Sequence, residues 1–534
     1  MCERAWPFPP KLHNFRHFPT AVWLYFSWRE NHMKKRKLRK SGKLYVTMLL
    51  IWLLLVALFI PAFLREYLFS DSIVINTLLT LNGIFIMYFW LNGVKDVTYV
   101  MWYYACKKSL TRYTNKVSKM PVPQGKRVTL VYCTCNDFNG IALERCMHQT
   151  YPGCHFAILD DSKQEAYIKE IDEFARKHPE VEVVRRTDHS GFKAGNLNNY
   201  LLNHDDYDYF VILDSDEVIP DGFVSRALRY FQFYSNVGIV QCSHKAINNI
   251  NRFMKLFHIG VNAHWPTYQT VKHSCGFMSL LGHGAMVSKE CYRAVGKVPH
   301  VVAEDLCFTI EARDKGYLCA FAPDIICGEE YPIDYIAFKK RHNKWTQGNM
   351  EFIKTYTTRI LRSRMHWFEK MDIFLFTYNL PLTAFFSLYI ILNVAILPAA
   401  GYELHYPAWL ILPTIIFFFA PMVNDFVTYF GVARFSRLLS YMFNTFILYG
   451  SMLFVSLKAS LLGIFGKKAV FIVTPKDSQK ISVMEAIKQN REELMFALVM
   501  TALSEFFHRS FLPVALLVIP AVLSVHLTRI SNHR

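Results

Sequence analysis

Tyr209-Phe210-Val211-Ile212-Leu213 runs straight into Asp214-Ser215-Asp216. Five apolar residues in a row read as a buried strand. Carboxylates clustered at its end are costly unless a cation neutralises them. The same device stands upstream, where Phe156-Ala157-Ile158-Leu159 runs into Asp160-Asp161. Outward from these two runs, Val128–Tyr132 and Val181–Val184 read as further strands. Ile141–Gln149, Lys163–Arg176 and Ala194–Leu202 read as the helices between them. Such alternation predicts an α/β domain, a parallel sheet with helices on both faces. Ligands bind beyond the carboxyl ends of such strands. Asp137, Asp160, Asp161, Asp214 and Asp216 all lie just past strand ends, so they are expected in one crevice.

The chain is 52% hydrophobic and 16% aromatic, too apolar for an ordinary soluble protein of this length. Apolar blocks flank the α/β stretch: Leu44–Leu64, Ile73–Leu91, Ile373–Pro398, Ala408–Phe430, Leu438–Leu462 and Leu494–Leu527. About 20 apolar residues span a bilayer. The basic run Lys34–Lys40 precedes the first block, which places the N-terminus inside and assigns the run to anionic lipid rather than nucleic acid. Two spans then return the chain to the cytoplasm. Leu438–Leu462 carries Tyr441, Asn444, Ser451, Ser456 and Lys458, and is expected to lie along the interface or line a cavity. Leu494–Leu527 is read as a hairpin turning at His508-Arg509, giving six crossings in all. The expected plan is a basic segment 1–43, two spans in 44–106, a cytoplasmic domain 107–365, a hairpin 366–437, an interface helix and loop 438–492, and a last hairpin 493–534. No signal peptide is read in residues 1–32. Ten of the twelve cysteines fall between Cys133 and Cys327 without a CxxC pair, and are expected reduced and buried, not zinc-bound.

Each acidic position suggests a task. Asp214 and Asp216 are the metal candidates, for Mg²⁺ or Mn²⁺ bridging a diphosphate. Asp137 and Asp160 suit hydrogen bonds from a uracil imide or ribose hydroxyls. Lys193, in Gly191-Phe192-Lys193-Ala194-Gly195-Asn196, offers an ammonium to phosphates. Asp305 is the base candidate, with Glu304 beside it to raise its proton affinity; Asp305 also suits a cap for a helix over Leu306–Asp314. Arg341 and Lys344 share a helix face in a segment running to Ile360, where Trp345 suits stacking on a sugar ring. These features point to an enzyme that handles a sugar nucleotide at a membrane. A transporter has no use for Asp214, Asp216 and Asp305.

Taken in order, the motifs resemble the processive family-2 glycosyltransferases, the cellulose, chitin and hyaluronan synthases, over about Val128–Lys476. Asp160-Asp161, Asp214-x-Asp216 and Glu304-Asp305 resemble that family's DD, DxD and ED, and Lys193–Asn198 its KAGxLN. The resemblance implies a GT-A, Rossmann-like mixed sheet embedded among transmembrane and interface helices, in an integral plasma-membrane enzyme with a cytoplasmic catalytic domain. It assigns nucleotide-sugar binding to Asp137, Asp160, Asp161, Lys193, Asp214, Arg341 and Lys344, and acceptor contacts to Trp345, His283 and Gly284. Phe471, Val473, Thr474 and Lys476 fit the FxVTxK gating loop of the cellulose synthase branch. Arg341-x-x-Lys344-Trp345 departs from the family's QxxRW: only the tryptophan is kept. The chain shows no cyclic-dinucleotide module, and bacterial single-polypeptide capsular glucan synthases are the nearest in character. The implied activity is inverting polymerisation of a UDP-sugar, first UDP-glucose, with secretion of the polysaccharide. An N-acetylglucosamine-containing polymer, or single addition to a lipid, is the alternative. The expected partners are donor, growing polysaccharide and membrane lipid, with no nucleic acid and no obligatory protein subunit.

Overall fold

The computed structural model describes residues 35–466 and 481–530. The FxVTxK segment lies outside the described residues. Seven strands form one sheet: β1 Val128–Thr134, β2 Cys154–Asp160, β3 Val181–Arg185, β4 Tyr209–Leu213, β5 Val237–Ile247, β6 Ala285–Ser288 and β7 Leu318–Glu330. Their order is β3-β2-β1-β4-β6-β5-β7. β1 to β4 are mutually parallel, while β6 runs antiparallel between β4 and β5. The sheet is therefore mixed and parallel-dominant, as a GT-A-like domain requires. The apolar runs are continuous because packed side chains cover both faces of the central strands. Pairing aligns Thr134 with Asp160 and Tyr132 with Leu213, so β1, β2 and β4 release their acidic loops along one edge.

The helices that matter here are α1 Lys43–Phe69, α2 Ile73–Leu110, α3 Phe192–Asn203, α4 Glu304–Asp314, α5 Tyr335–Arg362 and α6 Trp367–Thr377. Among the described residues, five helical segments are long and apolar enough to cross a membrane: Lys43–Phe69, Ile73–Val117, Ala408–Tyr429, Phe435–Ile464 and Leu512–Ile530. Leu50, Leu53, Leu54 and Leu58 of α1 face outward, as lipid contact requires.

Several details depart from the sequence reading. The block expected to span at Ile373–Pro398 is interrupted at Tyr378 and resumes as a helix from Asn379 that runs on to Ala399. The block expected to lie along the interface or line a cavity falls in Phe435–Ile464, which is long enough to span, is mostly buried against other helices, and lends Tyr441, Thr445 and Tyr449 to the lining of a large cavity. Its polar residues face neighbours: Ser456 meets His342 at 2.8 Å and Ser451 meets Tyr335 at 2.9 Å. The basic run is partly a docking strand. Arg36 exchanges backbone hydrogen bonds with Phe233 and Ser235, and Lys40 is buried with its Nζ donating to the Gly276 carbonyl at 2.6 Å.

Candidate active site

The crevice opens at the carboxyl edge of β1, β2 and β4, where the strand order turns between β1 and β4. A cavity of about 1460 Å³ is lined there by Asp137, Asp161, Lys193, Asp214, Asp216, Glu304 and Asp305. It does not stop at the domain. The same cavity runs on past Arg341, Lys344 and Trp345 to Asn92, Phe417, Asn424, Tyr441 and Tyr449 in the helical layer.

Each side chain is set by its element. Asp137 follows β1, and Asn136 before it adopts φ 57°. Its carboxylate accepts from Thr134 Oγ1 at 2.9 Å, the Cys135 amide at 2.8 Å and Ser215 Oγ at 2.7 Å. Lys193 lies in the first turn of α3, next to Phe192 and the capping Gly191, both with left-handed φ. A phenylalanine there is strained, and such strain concentrates at functional sites. Gly195 is required on the next turn, because a Cβ would lie 2.0 Å from the Ser190 carbonyl. Lys193 Nζ donates to Asp214 and, at 2.8 Å, to the carbonyl of Gly282. Burial works against the Lys193 charge, but Asp214 outweighs it and holds the ammonium above its ordinary value. Burial likewise pushes Asp214 up, and Lys193 more than reverses that.

Glu304 and Asp305 occupy the first turn of α4, with Ala303 in the cap position. The helix thus begins two residues earlier than the sequence reading has it, and Asp305 is not its cap. Asp305 Oδ1 accepts from the Leu306 amide at 2.7 Å. Burial, then the neighbouring Asp305 charge, pushes Glu304 up to about 8. Burial also raises Asp305. Two carboxyls this close titrate as a pair that keeps a proton near neutrality.

α5 starts at Tyr335 under an Asp334 cap, placing Arg341 and Lys344 within its second and third turns. The Arg341 guanidinium sits over the rings of Trp345, at 4.6 Å, and Tyr331, at 5.4 Å. Lys344 lies within the field of Asp214 and Glu304, yet burial dominates and lowers it.

Three expectations need correction. Asp160 does not line the cavity: it is buried, and its carboxylate takes Arg185 Nε at 2.7 Å and the Ser162 amide at 2.8 Å. Asp161 faces the crevice instead, gripped by Arg186. Asp214 is paired with Lys193, and Asp216 accepts from the Glu330 amide at 3.3 Å. His283 lines the cavity but is committed to Glu217 and lies 3.5 Å from Glu329. Burial works against its charge, but Glu217 lifts it to about 10. Gly284 sits behind it: a Cβ there would lie 2.3 Å from His244 Nε2, so only glycine lets the strand pass. The sequence reading missed Arg185, Arg186, Glu217 and His244. Only Arg185-Arg186, a basic pair ending β3 on the crevice side, carried a local signal.

The crevice suits a divalent metal ion. Asp216 offers hard carboxylate oxygen beside space for a diphosphate.

A family model described as glycosyl transferase family group 2 matches residues 209–424. The chain is 25% identical over 283 residues to the beta-monoglucosyldiacylglycerol synthase of Synechocystis sp., covering 51% of this chain and 58% of that relative. Among solved structures, it is similar to the mannosyltransferase PcManGT from Pyrobaculum calidifontis in complex with GDP-Man and Mn²⁺. That similarity has a TM-score of 0.42 and 15% identity, over 72% of this chain and 100% of that one. It is also similar to S. aureus TarS, with a TM-score of 0.35 and 14% identity over 57% and 54% of the two chains.

Proposed function

We propose that this chain, a glycosyltransferase on a GT-A-like sheet, is a membrane-embedded inverting synthase. It adds sugar from a UDP-sugar, first UDP-glucose, to a growing β-glycan and passes the product outward through its own helices. The domain then faces the cytoplasm of a plasma membrane. The observation that carries this reading is the continuity of the cavity from the carboxylates to Asn424, Tyr441 and Tyr449. Polar side chains at that depth are costly in a membrane protein without a polar passenger.

In this reading Asp137, held by three donors, takes the uracil or ribose. Lys193 and Lys344 neutralise the diphosphate, and the Trp345 face, braced by Arg341, supports the acceptor sugar. His283 and Glu329 border the same space. A Mg²⁺ or Mn²⁺ ion held by Asp216 would supply charge stabilisation for the departing nucleoside diphosphate. Asp305, ionised, takes the proton from the acceptor hydroxyl as that oxygen attacks the anomeric carbon. The bond to the diphosphate breaks on the opposite face, and the proton leaves from Asp305 to solvent. Glu304, kept protonated by burial and by the charge of Asp305, stands neutral beside it.

A second reading, transfer of one sugar to a lipid, is favoured by the name of the Synechocystis relative. Product length separates the two. Protein purified in detergent is offered labelled UDP-glucose or UDP-N-acetylglucosamine singly with Mg²⁺ or Mn²⁺, and products are digested with linkage-specific glycanases. A long glycanase-sensitive polymer is the expected result. A monoglycosylated lipid with no polymer would overturn processivity.

A further inference from the structure

Behind the crevice floor lies a second cluster that the transfer reaction does not use. Glu217 follows Asp216, His244 stands on β5 and Cys327 on β7, all three fully buried. One ligand atom from each lies within 4.8 Å of the others. The backbone fixes this convergence. His244 and Cys327 are register partners in the parallel β5–β7 pair. Val218 and Gly328, one residue beyond Glu217 and Cys327, exchange backbone hydrogen bonds of 3.0 and 2.7 Å. Cys242 lies two residues before His244 on the same strand face, and its thiol meets that of Cys327.

As metal-free groups they are poorly served. His244 Nε2 meets Glu217 Oε1 at 3.1 Å, but Nδ1 is buried with no hydrogen-bond partner. Cys327 is a thiol buried against a carboxylate and another thiol. Thiolate, imidazole and carboxylate together are the donor set of a borderline cation, and the all-oxygen crevice suits a harder one.

We infer that Cys327 Sγ, His244 and Glu217 bind a structural zinc ion, with Cys242 or His283 beside them to complete four-coordination. Binding releases the Cys327 thiol proton to solvent and leaves a zinc–thiolate bond. The ion pins the loop that carries Asp214 and Asp216 to β5 and β7, so it positions the crevice without touching substrate.

Metal analysis of the full chain tests this apart from any transfer activity. Protein purified in detergent without added zinc is dialysed against a mild chelator and its zinc is counted by mass spectrometry. One zinc per chain is expected, falling to trace in Cys327→Ser. Cobalt exchanged into the wild type should give a thiolate-to-cobalt charge-transfer band, absent in that variant. If Cys327→Ser does not fold, the wild-type cobalt band decides alone. Sub-stoichiometric zinc together with no thiolate band would overturn the site and leave the cluster a buried ion-pair network, whatever the transferase assay shows.

Discussion

Two buried acidic centres in this molecule are built from similar parts and treated differently. On the seam between the sheet domain and the first two helices, Asp372 of α6 is completely enclosed. Its oxygens accept from Tyr45 of α1, Tyr99 of α2 at 2.8 Å, Lys272 at 3.1 Å and the Phe277 amide at 2.6 Å. One carboxylate is met by four donors, one of them a cation. In the crevice, Glu304 and Asp305 lie side by side, and both are pushed toward the protonated form. A charge satisfied from every side holds elements together. A charge kept unsatisfied is poised to move a proton. The contrast separates a hinge pin from a reactive group without reference to any relative.

The largest effect should come from removing the reactive group. Asp305→Asn keeps shape but cannot accept a proton, so turnover should fall by about 10² to 10⁴-fold, the usual worth of a general base. Release of UDP from UDP-glucose, with thermal unfolding as control, measures it. Unchanged turnover in a folded variant would move the base elsewhere.

The converse test breaks the pin. Asp372→Ala strands the Lys272 ammonium and two tyrosine hydroxyls in the interior. A buried pair broken on one side costs about 3–5 kcal/mol. A lower unfolding temperature in detergent is expected, with any folded fraction still able to bind donor. If Asp372→Ala unfolds at the wild-type temperature while losing turnover, the two centres have been assigned the wrong way round.

Glu304→Gln sharpens the comparison through pH. A buried acid whose native pKa lies above its unfolded value of 4.5 holds a proton that the unfolded chain has lost. Its contribution to stability therefore declines as pH rises from 4.5 to about 8. The variant should flatten that decline. Because Glu304 keeps its proton up to about 8, glutamine reproduces its neutral form, and the acid limb of kcat/KM set by Asp305 should stay in place. A shifted acid limb would show that Glu304 is ionised when Asp305 works.

What was legible follows from where the information sits. Strand β4 reads directly from Tyr209–Leu213 because an apolar run is a local signal. The meeting of Asp137, Asp161, Asp214 and Asp216 follows from the rule that parallel strands release their loops along one edge. Partner choice across the fold is not local. Nothing near Asp160 says that Arg185 will claim it, and nothing near Glu217 says that His244 and Cys327 will face it. Those meetings are created by the register of β2 with β3 and of β5 with β7. Asp372 was invisible for the same reason, standing 327 residues from Tyr45.

The smallest effect compares one donor removed from each centre. Tyr45→Phe deletes one of the four donors on Asp372, and Ser215→Ala one of the three on Asp137. Either lost hydrogen bond is worth about 0.5–1.5 kcal/mol. The consequences should diverge. At the seam the remaining donors still enclose Asp372, so the loss appears as a small fall in unfolding temperature with KM for the donor unchanged. In the crevice Ser215 sets the angle of a carboxylate meant for ligand, so the loss appears as a KM several-fold higher with little change in unfolding temperature. Equal changes in both quantities for both variants would erase the distinction between a pin and a binding group.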